Sequence, residues 1–197
     1  MFMINPNFKA MLTQIDELIS NVLQKGGHDT QGVEIVKVGL SQFLMYLSAS
    51  DGKIEWSEAD NISQYLGLNI TPEAVNQFIR EQNIYSTKFE QTVPLAFQVL
   101  VEADNLLWDN GSRETCSADM LLNLYKAIGE ELINADNDVN DTEMQDYTIY
   151  INMLSNYIMQ NDKFKQQGSV YTGLHKNTGN NSVDAPVKSG VSAPRKR

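Results

Sequence analysis

Two short stretches concentrate oxygen-bearing side chains where the chain must turn. The first is Asp51-Gly-Lys-Ile-Glu-Trp-Ser-Glu58, and the second is Asp136-Asn-Asp-Val-Asn-Asp-Thr-Glu143. Asp51, Glu55 and Glu58 could place carboxylates around the first turn. Asp136, Asp138, Asp141 and Glu143 could do so around the second. Hard divalent cations such as Ca²⁺ or Mg²⁺ take all-oxygen shells of this kind. Turns and helix caps use the same residue types for backbone reasons alone. At the level of residue type both readings stand. A regular EF-hand does not, although Asp-Gly-x-Ile-x-x-x-Glu matches its second half. Setting Glu58 as the final ligand puts Leu47 and Ala49 where the first two acids belong, and setting Glu143 there puts Leu132 and Asn134.

Other chemistry is sparse. His28 follows Gly26-Gly27 in a turn, and His175 lies near the C-terminal end; neither has a local catalytic partner. Cys116 is the single cysteine, so no internal disulfide can form, and a cytoplasmic setting is expected. The sequence holds no phosphate-cradling Gly-x-x-x-x-Gly-Lys, no His-Glu-x-x-His and no Gly-x-Ser-x-Gly. A non-enzymatic protein is therefore expected. Trp56 stands apart, because a large apolar side chain in an acidic turn suits either a contact surface or a lid over the turn. Phe43, Tyr46, Tyr147, Tyr150 and Tyr157 fall at helical spacings, which core packing explains.

The elements that must carry these residues read as helices throughout. Met11, Ile15, Leu18, Ile19 and Leu23 form one stripe in a helix over 8–25, stopped by Gly26-Gly27. Val33, Val36, Leu40, Phe43, Leu44 and Leu47 form the next stripe, over about 30–50. A third helix is predicted to start at a Ser57 cap and end near Gly67. Thr71-Pro72 opens a fourth, to about Gln82. Residues 83–91 read as irregular or as a short helix. Pro94 opens a helix to about Trp108, Asn110-Gly111 turns the chain, and Ser117 is predicted to cap the next helix. Thr142 with Gln145 forms a capping box for the last. No sustained β-branched alternation occurs, so the expectation is an all-α bundle of about seven helices.

The two acidic stretches superpose on a shift of 85 residues. Asp51 falls on Asp136, Ile54 on Val139, Ser57 on Thr142 and Glu58 on Glu143. Leu47 falls on Leu132, and Ile62, Tyr65 and Leu66 fall on Tyr147, Tyr150 and Ile151. Such self-similarity predicts two duplicated helical hairpins, over about 30–67 and 117–160, packed face to face. Gly52 and Asn137 would supply the left-handed turn residue. Ile54 and Val139 would anchor the turn in the core.

The phrase Leu-Ser-Ala-Ser-Asp-Gly-Lys-Ile-Glu-Trp-Ser-Glu, after an apolar helix and repeated in degenerate form downstream, resembles the TerB-like domain. TerB is a small helical protein of bacterial tellurite-resistance and stress-response clusters, and related domains occur fused to chaperone-type or ATPase modules. The resemblance spans roughly residues 30–160 and is specific at about a dozen positions, mostly in the first copy. It implies an all-helical fold with an acidic surface that binds divalent metal. The implied ligands are Asp51 and Glu58, with Asp136 and Glu143 as their repeat partners. Asn137 replaces the family's glycine in the second copy. Residues before 30 and the C-terminal stretch lie outside the resemblance.

Charge is unevenly spread. The 197 residues carry a net charge of −10, yet residues 167–197 hold five Lys/Arg against one acid. That stretch is about +4 and the rest about −14. The acidic body repels nucleic acid and anionic lipid, and favours cations or basic partner proteins. From 166 onward Gly, Ser, Asn, Thr and Pro prevail and periodicity vanishes, which predicts a flexible basic tail beyond a domain over 1–165. No apolar run approaches the roughly 20 residues of a membrane span, and the N-terminus lacks a secretory pattern. The function expected is an acidic interaction module, bacterial or phage-borne, in a stress-response or defence assembly, with a protein partner such as an ATPase. The other reading is an assembly subunit that docks through its basic tail.

Overall fold

Apolar residues spaced three and four apart shape the long helices of the computed structural model, which describes residues 6–25, 27, 32–50, 52, 54–67, 69–84, 87–113, 117–134 and 141–166. The helices are α1 (Pro6–Lys25), α2 (Gly32–Ser48), α3 (Trp56–Leu66), α4 (Pro72–Gln82), α5 (Thr87–Glu90), α6 (Leu95–Asp109), α7 (Ser117–Ile133) and α8 (Asp141–Asn161). One further helical turn follows over 163–166. No strand occurs among the described residues. The eighth helix, beyond the seven expected, is α5, a single turn in the stretch read as irregular or short.

The 85-residue shift reaches further than the two hairpins. It carries the bounds of α2 onto those of α7 and the first residue of α3 onto that of α8. It also carries the span of α1 over that of α6. The packing follows the same correspondence. α1 lies against α2 and α7, α6 lies against α7 and α2, and α1 and α6 touch each other, as do α2 and α7. A pseudo-twofold relation between two three-helix units accounts for this pattern. α4 and α5 lie between the units in the chain, with α4 against α2 and α3 and α5 against α8. Sequence periodicity alone did not reveal the third helix of the repeat, because α1 and α6 share burial rather than residue identity. Ile15 and its counterpart Leu100 are both fully buried, whereas Ile19 corresponds to Asp104.

The apolar repeat positions on the helices that flank the turns face inward. Leu47 and Leu132, Ile62 and Tyr147, Tyr65 and Tyr150, and Leu66 and Ile151 are buried in both copies. Rings fill the centre: Phe43 lies 5.0 Å from both Tyr125 and Tyr150, and Phe97 meets Tyr125 edge-on at 5.1 Å. Tyr46 and Tyr147 are buried as well, and Tyr157 is partly so. Gly39 lets α2 and α7 approach closely, since a Cβ there would lie 2.7 Å from the Tyr125 hydroxyl oxygen.

Helix starts depart from the expected caps. Thr71 behaves as predicted, its hydroxyl accepting the Ala74 amide at 3.3 Å ahead of Pro72. For α3 the cap is Glu55, not Ser57, which lies inside the first turn. Thr142 likewise lies inside α8, which begins at Asp141. Ser117 is the first helical residue of α7, and the acceptor for the Ala118 amide is Asp104 of α6 at 3.0 Å. The start of α2 is held in the same manner, by the Ser20 hydroxyl of α1 accepting the Gly32 amide at 2.9 Å. Tertiary partners hold the starts of α2 and α7, whereas α3 and α4 are capped by their own neighbours in sequence.

Candidate acidic-turn site

At the first acidic turn the chain leaves α2, and Gly52 adopts φ +81°, the left-handed conformation expected of the turn residue. Ile54 is half-buried against the core, as expected of an anchor. Glu55 and Glu58 then form a capping box, in which the Glu58 carboxylate accepts the Glu55 backbone N–H at 2.7 Å. Glu58 is only 7 % exposed, while Glu55 stands in solvent. Trp56, the first residue of α3, is 63 % exposed and is followed by exposed Ser57.

The second turn repeats this where it is described. Glu143 sits in the first turn of α8 and is 8 % exposed, matching Glu58. Asp141 is exposed, and Met144 beside it is 41 % exposed. Asp51, Asp136, Asp138, Asn137 and Val139 lie outside the described residues, as do Cys116, His28, His175 and the basic stretch 167–197. Of the predicted ligands, the structure therefore brings Glu55 and Glu58 together at one helix start and places Glu143 at the equivalent point of the other. Among the described residues no group of three or more His, Cys, Asp or Glu side chains is arranged to hold a metal.

Acids next to the turns are drawn into tyrosine contacts. The Tyr147 hydroxyl donates to Glu130 at 3.1 Å, and Tyr46 donates to Glu90 at the same distance. Tyr65 of α3 bonds Glu131 of α7. Burial first, and neighbouring carboxylates second, push all three phenols upward, Tyr147 to about 12; for Tyr46 the carboxylates are Asp146 and then Glu90. Glu130 and Glu131 thus tie α8 and α3 to the end of α7 that leads into the second turn.

No family model, no curated protein and no solved structure matches this chain.

Two features escaped the sequence reading. Apolar side chains stand exposed beside grooves: Leu106 and Leu107 along a groove of about 770 Å³ between α1 and α6, and Val38 with Leu95 along one of about 520 Å³ between α2 and α6. The other is a pair of buried acids, Asp104 and Asp162, each with no exposed surface. Asp104 had a visible signal, since Phe97, Leu100 and Asp104 continue one buried stripe of α6 and put an acid where an apolar residue belongs. Asp162, past the end of α8, had none.

Proposed function

We propose that this protein is a non-enzymatic interaction module that presents its first acidic turn and Trp56 to a partner protein in a bacterial or phage stress-response or defence assembly. One observation carries the reading: Trp56 is 63 % exposed at the first position of α3, directly after exposed Glu55. An indole held in solvent costs apolar exposure that folding does not require, and tryptophan is enriched where interfaces draw their energy. The resemblance of residues 47–58 to TerB-like domains supports the same surface and adds a divalent cation to it. Glu55 and Glu58 both accept backbone amides at the start of α3, so the cation reading leans on Asp51 with the outer oxygens of Glu55, and on Asp136 and Asp138 in the second copy.

Calorimetric titration with Ca²⁺, Mg²⁺, Mn²⁺ and Zn²⁺ tests the cation. Saturable heat that Asp51→Ala abolishes is expected. Silence from all four at millimolar concentration, with Asp51→Ala altering only stability, removes the metal from the proposal.

The charge division of the chain, about −14 over 1–166 and about +4 over 167–197, favours a second reading as an assembly subunit. There the basic stretch of one copy meets the acidic body of another. Light scattering of the full chain and of a chain ending at 165 distinguishes the two. A salt-sensitive oligomer present only in the full chain is expected from the second reading, and monomers in both cases eliminate it.

A further inference from the structure

The groove between α1 and α6 stands out because the repeat supplies its own comparison. Leu107 of α6 and its counterpart Val22 of α1 line it from either side. One residue earlier the two units part. Leu106 is exposed at the rim, and Asn21, its counterpart 85 residues before, is exposed at the equivalent place on α1. The fold therefore accepts a polar residue at this position. A leucine left in solvent beside a groove of about 770 Å³ that also holds Leu18 and Leu100 marks a surface with an occupant. Lys25 is the one charged residue among the described residues that line it, and no acidic-turn residue does. The occupant is accordingly apolar and uncharged where it touches.

The chain itself passes this groove. After α8, the turn over 163–166 is fastened to α6. The Asn105 side-chain amide donates to the Asn161 carbonyl at 2.9 Å, and its side-chain oxygen accepts the Lys163 amide at 2.8 Å. Phe164 meets Trp108 edge-on at 5.0 Å, and the Lys163 ammonium pairs with Asp109 at 2.6 Å. Asp109 lies three residues beyond Leu106, so the two are neighbours on the helix surface. The chain thus leaves α6 beside the groove rim, and residues 167–197 follow. Rounding the helix to the groove takes about 10–12 Å. Four residues of extended chain span about 13 Å, which brings residue 170 there. Val170, Tyr171 and Leu174 are the first apolar residues after Phe164, and no Asp, Glu, Lys or Arg stands between Lys165 and Lys176. Lengths agree as well. From Leu100 to Asn110 the groove wall rises about 15 Å, and 170–174 extended spans about 13 Å.

We propose that residues 170–174 of this same chain occupy the α1–α6 groove. Side chains four apart in an extended segment share a face, so Val170 and Leu174 enter the groove together while Tyr171 covers Leu106. The tether makes the contact intramolecular. It holds the segment at an effective concentration of about millimolar or above, at which a few apolar contacts suffice. Charge adds to it, since the basic residues from Lys176 onward then run over a body of about −14. The groove is a seat filled by the chain's own continuation, and a foreign apolar segment must displace that continuation to bind.

NOE spectroscopy of the full chain, labelled at leucine and valine methyls and at tyrosine rings, tests the seat. Contacts from Tyr171 and Leu174 to Leu106 and Leu107 are expected, unchanged on dilution. Their absence overturns the proposal. Contacts found only between differently labelled copies in a mixed sample put another copy's segment in the groove and overturn it too. Hydrogen exchange gives a second readout. The amides of 170–174 should exchange severalfold more slowly in the unaltered protein than in Leu174→Asp, a substitution outside all eight helices that leaves the buried core as it is. Equal rates in the two proteins overturn the seat.

Discussion

Glu58 and Glu143 show how folding and function divide the acids of the two turns. Both point inward at the third position of a helix, where the positive end of the helix favours a carboxylate and a free backbone amide awaits one. Glu58→Ala should therefore cost about 1 kcal/mol of stability in urea denaturation, and Glu58→Gln, which keeps an acceptor, clearly less. Equal costs for the two would deny the capping role. Asp104 acts through pH. Its folded-state carboxyl is held above its ordinary value of 3.8, at about 6. The stability it contributes is complete below the lower value and is lost as pH rises through the upper one. The urea midpoint of the unaltered protein should thus fall between about pH 5 and pH 7.5 relative to that of Asp104→Asn. Parallel curves would contradict this. Tyr125 carries a buried hydroxyl with no partner. Tyr125→Phe should leave stability unchanged or raise it by up to about 1 kcal/mol in the same measurement.

At the scale of elements, the close approach of α2 and α7 is the tightest constraint. Gly39→Ala would press a methyl group to within 2.7 Å of the Tyr125 hydroxyl oxygen and 3.0 Å of Pro94. It should cost about 1–3 kcal/mol, and less in a Tyr125→Phe background, because the nearer obstacle is then gone. Additive costs in a double-mutant cycle would show that the helices relax instead. These helices were legible in the sequence wherever an apolar stripe ran three or more turns, as in α2 and α7. Their caps were not. Ser57, Ser117 and Thr142 carry the right side chain one or two residues too late, and the groups that hold the α2 and α7 starts come from α1 and α6. A capping rule reads only neighbours in sequence, whereas Ser20 and Asp104 become neighbours through packing. The hairpin repeat was legible because Leu47, Tyr65 and Glu58 recur by type. Its third helix was hidden because Ile15 and Leu100 recur only as buried positions.

For the whole molecule, the pseudo-twofold arrangement means that neither half owns its core. α1 and α2 of the first unit bury their apolar faces against α6 and α7 of the second. A fragment of residues 1–84 should then lack cooperative unfolding by circular dichroism, while the intact chain unfolds in one transition. A cooperative fragment would mean that the units are independent. The same arrangement leaves both acidic turns as connections between a repeat's second and third helices, with Trp56 facing solvent at the first. The central claim is that a cation and Trp56 share that surface. The chain has two tryptophans, so Trp108→Phe leaves Trp56 as the sole reporter. Titrating this variant with Ca²⁺, Mg²⁺, Mn²⁺ and Zn²⁺ should give a saturable change in Trp56 emission with at least one cation, and Asp51→Ala should abolish it. An emission unmoved by all four to millimolar concentration, or a change that survives Asp51→Ala, would contradict the account.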